Sequence, residues 1–375
     1  MTATTTRGQD RSAAGAARPT SATARNRADR RADGPLSGLR ALARRADSPV
    51  TSYYLLVGAT TALVLTGLVM VLSASMVTAY KSRGSVFSVF GNQALFAVLG
   101  LIAAVIAARI PVRWWRRFAV PSLALAVVLQ ALVLFTPLGD TVNGNRNWLR
   151  LGPVGGQPSE LTKVGLVLVG ALVLANKRHL LARAGQVLVP YLVPVAAITI
   201  GLVLLGHDLG TALVLFGIVG AVLFVAGVPG RMFTAAGLGA VAVAAVLVVT
   251  SPNRMGRIVN WLDGSCTDPD GTCGQSVHGS YALADGGWWG VGLGQSKEKA
   301  GWLPEAHNDF IFAIIGEELG LPGTLTILLL FALLGYACYR IVARSDDHFV
   351  RIATGGVMAW VLLQATVNIG AVIGL

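Results

Sequence analysis

From Tyr53 to its last residue the chain returns repeatedly to apolar runs of about twenty residues, the length an α-helix needs to cross a bilayer, with short basic turns between them. The runs are apolar all round, so no soluble fold with one wet and one dry face accommodates them. With 54% hydrophobic and only 13% charged residues, and a mean hydropathy of +0.65, the chain is expected to be an all-α polytopic membrane protein. Nine spanning helices are predicted, near residues 53–73, 88–108, 118–136, 159–175, 187–205, 208–227, 233–250, 308–337 and 352–375.

Residues 1–50 are different in kind. They hold ten Arg and no Lys among Ala, Thr, Gly and Ser, and no apolar stretch precedes Tyr53. This reads as a disordered basic cytoplasmic tail rather than a cleaved signal peptide, ahead of a transmembrane domain at 51–375. Such a tail also suits nucleic acid, but on a membrane protein the expected partner is an anionic lipid surface, with no nucleic acid. With the tail inside, Arg109, Arg113, Arg116, Arg117, Lys177, Arg178, Arg183, Arg231, Arg340, Arg344 and Arg351 fall on the cytoplasmic side, as the positive-inside rule requires. Residues 74–87, 137–158, the turn at 206–208 and a long loop at 251–305 are then extracytoplasmic.

Polar chemistry concentrates in those outer segments. Pro137–Lys163, PLGDTVNGNRNWLRLGPVGGQPSELTK, is expected to turn repeatedly before Pro158 and Ser159 open a helix, with Ser159 as N-cap. Glu160 and Lys163 share a helix face and can pair. The pair either neutralises itself or leaves Arg146 and Lys163 as a cationic site for an anionic headgroup, with Glu160 holding Lys163 in place. A helix mouth at the outer leaflet favours the second reading. His207-Asp208 lies between two apolar runs, where the acid is equally a helix cap or a site residue.

The densest chemistry lies between Gly292 and Gly320, GLGQSKEKAGWLPEAHNDFIFAIIGEELG. A Gly-rich, Trp-flanked loop is expected to pass into an apolar helix that begins with His307, Asn308 and Asp309 and carries Glu317 and Glu318 inside its run. Ionisable groups in hydrocarbon are costly, so these acids mark a functional site, although Glu317 and Glu318 can also pair with a neighbouring helix's cation. Lys297 and Lys299 are placed on a solvated face, within reach of phosphate. Upstream, Cys266 and Cys273 bracket an Asp-Pro-Asp-Gly turn, and on an oxidising face they are expected to close a small disulfide loop, free thiols being the other reading. Two Cys without a second pair are a weak zinc pattern, so no metal site is assigned. Cys338 reads as a buried small hydrophobe. Gly292-Leu-Gly294 follows no strand and lacks a third glycine, which excludes a dinucleotide fingerprint.

Taken together, GLVMVLSAS at 67–75, NGNRNW at 143–148, QPSELTK at 157–163, DLGTA at 208–212 and LPEAHNDFIFAIIGEELG at 303–320 resemble the SEDS family of FtsW, RodA and SpoVE, in the family's order. HNDFIFAIIGEELG and GLVMVLSAS are more similar to the FtsW division branch than to the RodA elongation branch. The resemblance implies a peptidoglycan glycosyltransferase of the bacterial cytoplasmic membrane, at the septum, that polymerises lipid II at the outer face. It implies a class B penicillin-binding transpeptidase and other divisome membrane proteins as partners. The family's essential acid falls on Asp309 and its conserved charged positions on Arg146, Glu160, Lys163 and Asp208. His307 and Glu317, in the same motif as Asp309, are expected to line the substrate site. Two departures stand out. Gln275-Ser-Val-His278-Gly279 replaces the family's Gln-x-x-Gln-Ser run, so roles in that loop do not carry over, and the family's tenth helix is expected beyond Leu375.

The residues fit that chemistry on their own terms. A sugar hydroxyl must attack an anomeric carbon while a lipid diphosphate leaves, so Asp309 is the expected general base and Arg146 and Lys163 the groups that meet the diphosphate charge. One base without a second carboxylate nucleophile points to a single inverting displacement, with undecaprenyl diphosphate leaving. A divalent cation, Mg or Mn, is compatible with the diphosphate, although no ligand cluster demonstrates one. A lipid II flippase, for which the deeper Glu317 and Glu318 speak, a division scaffold without chemistry, and an elongation polymerase are the alternatives.

Overall fold

A computed structural model describes residues 48–374 except 143–144, 152–153, 250–254, 257–258 and 260–273; the predicted tail up to residue 47, and Cys266 and Cys273, lie outside the described residues. Residues 52–375 pack as one unit. Helices α1 (Pro49–Arg83), α2 (Phe87–Arg109) and α3 (Val112–Phe135) lead through a small antiparallel sheet, β1 (Gly139–Val142), β2 (Asn145–Leu151) and β3 (Val154–Gly156), into α4 (Pro158–Asn176). Next, α5 (Ala184–Val187) runs through a widened segment at Leu188–Ala197 into α6 (Ile198–Leu205). Then come α7 (Leu209–Ala226), α8 (Gly230–Val249), α9 (Gly274–Gly286), α10 (Ile311–Arg344) and α11 (His348–Val372).

The protein is an all-α polytopic membrane protein. Among the described residues seven helices are long and apolar enough to cross a bilayer, and the shorter apolar stretches Val189–Leu205 and Gly230–Val243 account for the remaining predicted spans. The widening at Leu188–Ala197 has a local cause: Pro194 offers no N–H to the regular ladder, so the turn must loosen around it.

Burial sorts the helices. α2 is apolar all round yet has no buried residue, so its surface is left to lipid. α4 is the opposite case, enclosed by α3, α7 and α11. Lipid tails are as apolar as leucine, so helices associate by close packing rather than by escape from water. Glycines on α4 provide the close approach: a Cβ on Gly165 would stand 2.8 Å from the Leu123 Cα, and one on Gly170 would stand 2.7 Å from the Tyr191 hydroxyl. A second apolar cluster joins Met70 and Ala74 of α1, Ala282 of α9, Phe312–Ile315 of α10 and Leu303, Ala306 and Phe310 of the loop before it.

Four boundaries differ from the sequence reading. α1 continues to Arg83 rather than ending near residue 73, because nothing in SASMVTAYKSR breaks a helix and the first glycine, Gly84 at φ 69°, stops it. The segment at 137–158 folds into the sheet instead of plain turns, with a register shift between Asp140 and Thr141. The long outer loop contains α9, packed on α10. And α10 begins at Ile311, so His307, Asn308 and Asp309 sit on the turns before the helix, not in it.

Candidate active site

Strand β2 carries the first group of predicted residues. The Arg146 amide donates to the Gly206 carbonyl (2.9 Å), and its guanidinium donates to the carbonyls of Val133 (2.9 Å) and Thr136 (2.7 Å) at the end of α3. A cation against the unpaired carbonyls of a helix C-terminus is favourable on both hydrogen-bonding and dipole grounds. Two residues along the chain from Gly206, Asp208 caps α7. Its carboxylate accepts from the Thr211 amide (2.9 Å), the Thr211 hydroxyl (2.8 Å), Asn147 Nδ2 (2.8 Å) and Gln157 Nε2 (3.2 Å). Cap and site were alternatives for Asp208 in the sequence; here the cap also ties β2 and the start of α4 to α7. Beside it, Asn147 Oδ1 and Ser159 Oγ are buried and lack a protein hydrogen-bond partner.

Lys163, one turn into α4, is almost entirely buried with its side chain 3% exposed, while its partner Glu160 (2.7 Å) is 51% exposed. The ammonium also donates to Gln364 Oε1 (3.0 Å) and lies over the Trp360 ring (5.2 Å), both on α11. The structure thus brings Glu160 and Lys163 together as expected. It does not bring Arg146 and Lys163 into one cationic pair: one caps α3, the other bridges α4 to α11, and they share no partner.

The loop before α10 is held by a buried polar clamp that the sequence did not reveal. Glu318 is paired with Lys299 (2.6 Å), with side chains 0% and 3% exposed, and it accepts from Ser73 Oγ on α1. Glu317 accepts from Ser296 Oγ and from the Lys297 amide (2.6 Å). Lys299 is therefore not on a solvated face, and the cation that answers Glu318 comes from the loop rather than from a neighbouring helix. α10 breaks at Gly320, whose φ of 66° and ψ of −159° suit glycine alone. At that break the backbones come so close that a Cβ on Gly290 would overlap the Glu318 carbonyl and one on Gly320 would overlap the Gly290 amide. The part of α10 beyond the break, Leu321–Arg344, is about 36 Å long at 1.5 Å per residue, enough to span a bilayer by itself. The two acids consequently need not lie at membrane depth.

Asp309 is treated differently from these acids. The Ala306 and Phe310 on either side are buried in the apolar cluster, yet Asp309 is exposed and its carboxylate makes no hydrogen bond or ion pair. Partial burial of the carboxyl, reinforced by the negative charge of Glu305, holds its pKa above the usual aspartate range. Glu305 is fixed in turn: it adopts a φ of 55°, unusual for a non-glycine residue, and accepts from Asn308 Nδ2 (2.6 Å). His307 is partly exposed on the same turn. Close by in sequence, His278 of α9 lies 2.8 Å from Glu298 and stacks on Trp302, a grouping the sequence offered no signal for. Gly279 next to it packs on Phe310, so α9 braces the Asp309 turn. Among the described residues no three His, Cys, Asp or Glu side chains converge on a common point as a metal set would.

Residues 53–375 match the cell cycle protein family FtsW/RodA/SpoVE. A probable peptidoglycan glycosyltransferase FtsW of Mycobacterium tuberculosis is 42% identical over 327 residues, which are 87% of this chain and 62% of that protein. The Legionella pneumophila protein of the same description is 36% identical over 85% of this chain and 82% of its own. The chain thus spans 62% of the length of its mycobacterial relative. Among solved structures, a chain of a peptidoglycan synthase complex that coordinates polymerization and crosslinking superposes with a TM-score of 0.68 at 29% identity, covering 85% of this chain and 87% of the other. The Thermus thermophilus rod shape determining protein RodA superposes with a TM-score of 0.59 at 26% identity, over 84% of each chain.

Proposed function

Because this chain belongs to the FtsW/RodA/SpoVE family of cell cycle proteins, we propose that it is a peptidoglycan glycosyltransferase that extends glycan strands from lipid II at the outer face of the membrane, with Asp309 as general base. The observation that carries the reading is the contrast among the acids. Glu160, Asp208, Glu317 and Glu318 each have their charge answered by hydrogen bonds or a cation, whereas Asp309 is presented on a braced turn with its carboxylate free. A carboxylate with a raised pKa is a stronger base than an ordinary aspartate, which suits abstraction of a sugar hydroxyl proton as the hydroxyl attacks the anomeric carbon. The proton goes to Asp309, the new glycosidic bond forms on the face opposite the leaving group, and undecaprenyl diphosphate departs, so the configuration inverts.

Arg146 and Lys163 enter this scheme separately. Arg146 fixes β2 and keeps donors on the remaining guanidinium nitrogen for a diphosphate oxygen, and Lys163 stays charged between α4 and α11 at the membrane surface. A divalent cation at the diphosphate would neutralise leaving-group charge; side chains of this loop offer it Asp309 and Glu305 at most, with the remaining ligands from substrate and water. The flippase reading rested on Glu317 and Glu318 as free intramembrane acids, and their roles in the clamp remove that support. The similarity to proteins described as FtsW, and to a complex joining polymerization with crosslinking, supports a place in division and a class B transpeptidase as partner.

The test is polymerisation of purified lipid II by the full-length protein with its transpeptidase partner, comparing wild type with Asp309→Asn at equal folded yield. Wild type is expected to make strands and the variant none while still binding lipid II. Equal polymerisation by both would remove Asp309 from the mechanism. Asp309-dependent movement of lipid II across liposome bilayers, with no polymer from either protein, would put the flippase in its place.

A further inference from the structure

At the membrane face opposite Asp309, a cavity of about 380 Å³ opens among the end of α4, the end of α7 and the start of α11, lined by Arg178, His179, His348 and Arg351 over an apolar floor that includes Val225 and Ile352. Its volume falls in the range of small-ligand sites, about 300–1,000 Å³. The lining is basic without local compensation: neither Arg178 nor Arg351 has an acid within ion-pair distance among the described residues. Asp347, the nearest acid in sequence, is already taken by Arg116 (2.6 Å) and by the Phe349 amide that it caps (2.9 Å), and Asp346 is exposed and does not line the cavity. His348 Nδ1 is buried and has no hydrogen-bond partner, an uncommon state for a native polar atom. Arg178 Nε donates to His179 Nε2 (3.0 Å), which leaves the other His179 nitrogen to act as a donor and fixes the guanidinium at the cavity mouth.

We propose that this cavity binds a phosphate-bearing anion, with Arg178 and Arg351 meeting the phosphate oxygens and the His348 imidazole supplying a further hydrogen bond. The chemistry is shared by two sources, an anionic phospholipid headgroup and a soluble phosphate. Guanidinium groups suit it because their planar donors match phosphate oxygens. The apolar floor and the position at the ends of three membrane helices match a headgroup whose acyl chains lie along α7 and α11, as in other basic pockets between spanning helices. The site is separated from Asp309 by the length of α4, about 28 Å, and does not depend on the catalytic reading.

The experiment uses the full chain purified in neutral detergent. Thermal unfolding is followed with added inorganic phosphate, and separately after transfer to phosphatidylcholine nanodiscs with and without phosphatidylglycerol, for wild type, Arg178→Gln/Arg351→Gln and Arg109→Gln. Arg109, at the exposed end of α2, controls for general surface charge. The wild type and the Arg109 variant are expected to gain stability with the ligand. The double variant is expected to bind roughly tenfold more weakly or less for each guanidinium lost. Stabilisation by phosphatidylglycerol alone identifies a lipid site, and stabilisation by free phosphate in detergent identifies a soluble anion. If the double variant responds like the Arg109 variant to both ligands, the proposal is wrong. Should the double variant fail to fold, Arg351→Gln alone makes the same comparison, and an unchanged response overturns the proposal equally.

Discussion

A free carboxylate is the least expected group on a loop whose other acids are all engaged, and Asp309 owes that state to its neighbours: Ala306 and Phe310 anchor the turn while Glu305 raises the pKa. The sign of the consequence is definite. An acid whose folded pKa lies above its unfolded value favours the protonated form, so the stability it contributes is present at low pH and is lost as pH rises through the raised pKa. At neutral pH, Asp309→Asn, which mimics the neutral acid, is expected to melt at or slightly above the wild-type temperature while losing about 10²- to 10⁴-fold in polymerisation rate, the usual worth of a general base. A variant that loses activity and melts lower would instead mark Asp309 as structural. Glu305→Gln removes the like charge and keeps an acceptor for Asn308, so the acid limb of the pH–rate profile should move to lower pH. An unmoved limb would separate Glu305 from the catalytic group. Asp309 itself was legible in the sequence because an acid at the mouth of an apolar run has few structural uses. Glu305 was not, since its effect depends on a positive φ that no local pattern announces.

At the scale of elements, the turn is only as rigid as the clamp beneath it. Glu318 and Lys299 are both buried, and removing one partner of such a pair strands the other charge, at a cost of about 3–5 kcal/mol, whereas replacing both with apolar side chains is often near neutral. Lys299→Met is therefore expected to lower stability strongly and loosen the loop, and Lys299→Met combined with Glu318→Met to recover most of the loss in thermal unfolding. Additive losses would show that the pair is not coupled. The spans were legible because hydrophobic length carries the information. The sheet and α9 were not. Three- to seven-residue strands in a Gly- and Asn-rich segment leave too little alternation to read, although Asn143-Gly144 is a hairpin signal in its own right. α9 is glycine-rich and weak by intrinsic propensity. It is a helix because Gly279 and Gly286 let it lie directly on Phe310 and on the backbone of α10, a tertiary effect invisible along the chain. The clamp was missed for a related reason, because its partners are 19 and more than two hundred residues apart.

At the scale of the whole molecule, the charges sort by face in a way that single contacts make concrete. Arg116 at the start of α3 reaches Asp347 just before α11, so those two helix ends share one side, and the turn after α4, with Arg178 and His179, closes the same cavity as the start of α11. At the other ends of α3 and α4 lie the sheet, Arg146 and Glu160. The cationic ends are thus collected on one face and the candidate active site on the other, which by the positive-inside rule puts Arg178 in the cytoplasm and Asp309 outside. Single cysteines at Lys297 and His179, in a chain whose three native cysteines are replaced by serine, test this directly: both positions are exposed, and they lie on opposite faces. In intact cells a membrane-impermeant maleimide is expected to label the Lys297→Cys variant at once and the His179→Cys variant only after permeabilisation. The reverse pattern would place Asp309 in the cytoplasm, away from any substrate on the outer leaflet, and would overturn the polymerase proposal without reference to any catalytic mutant.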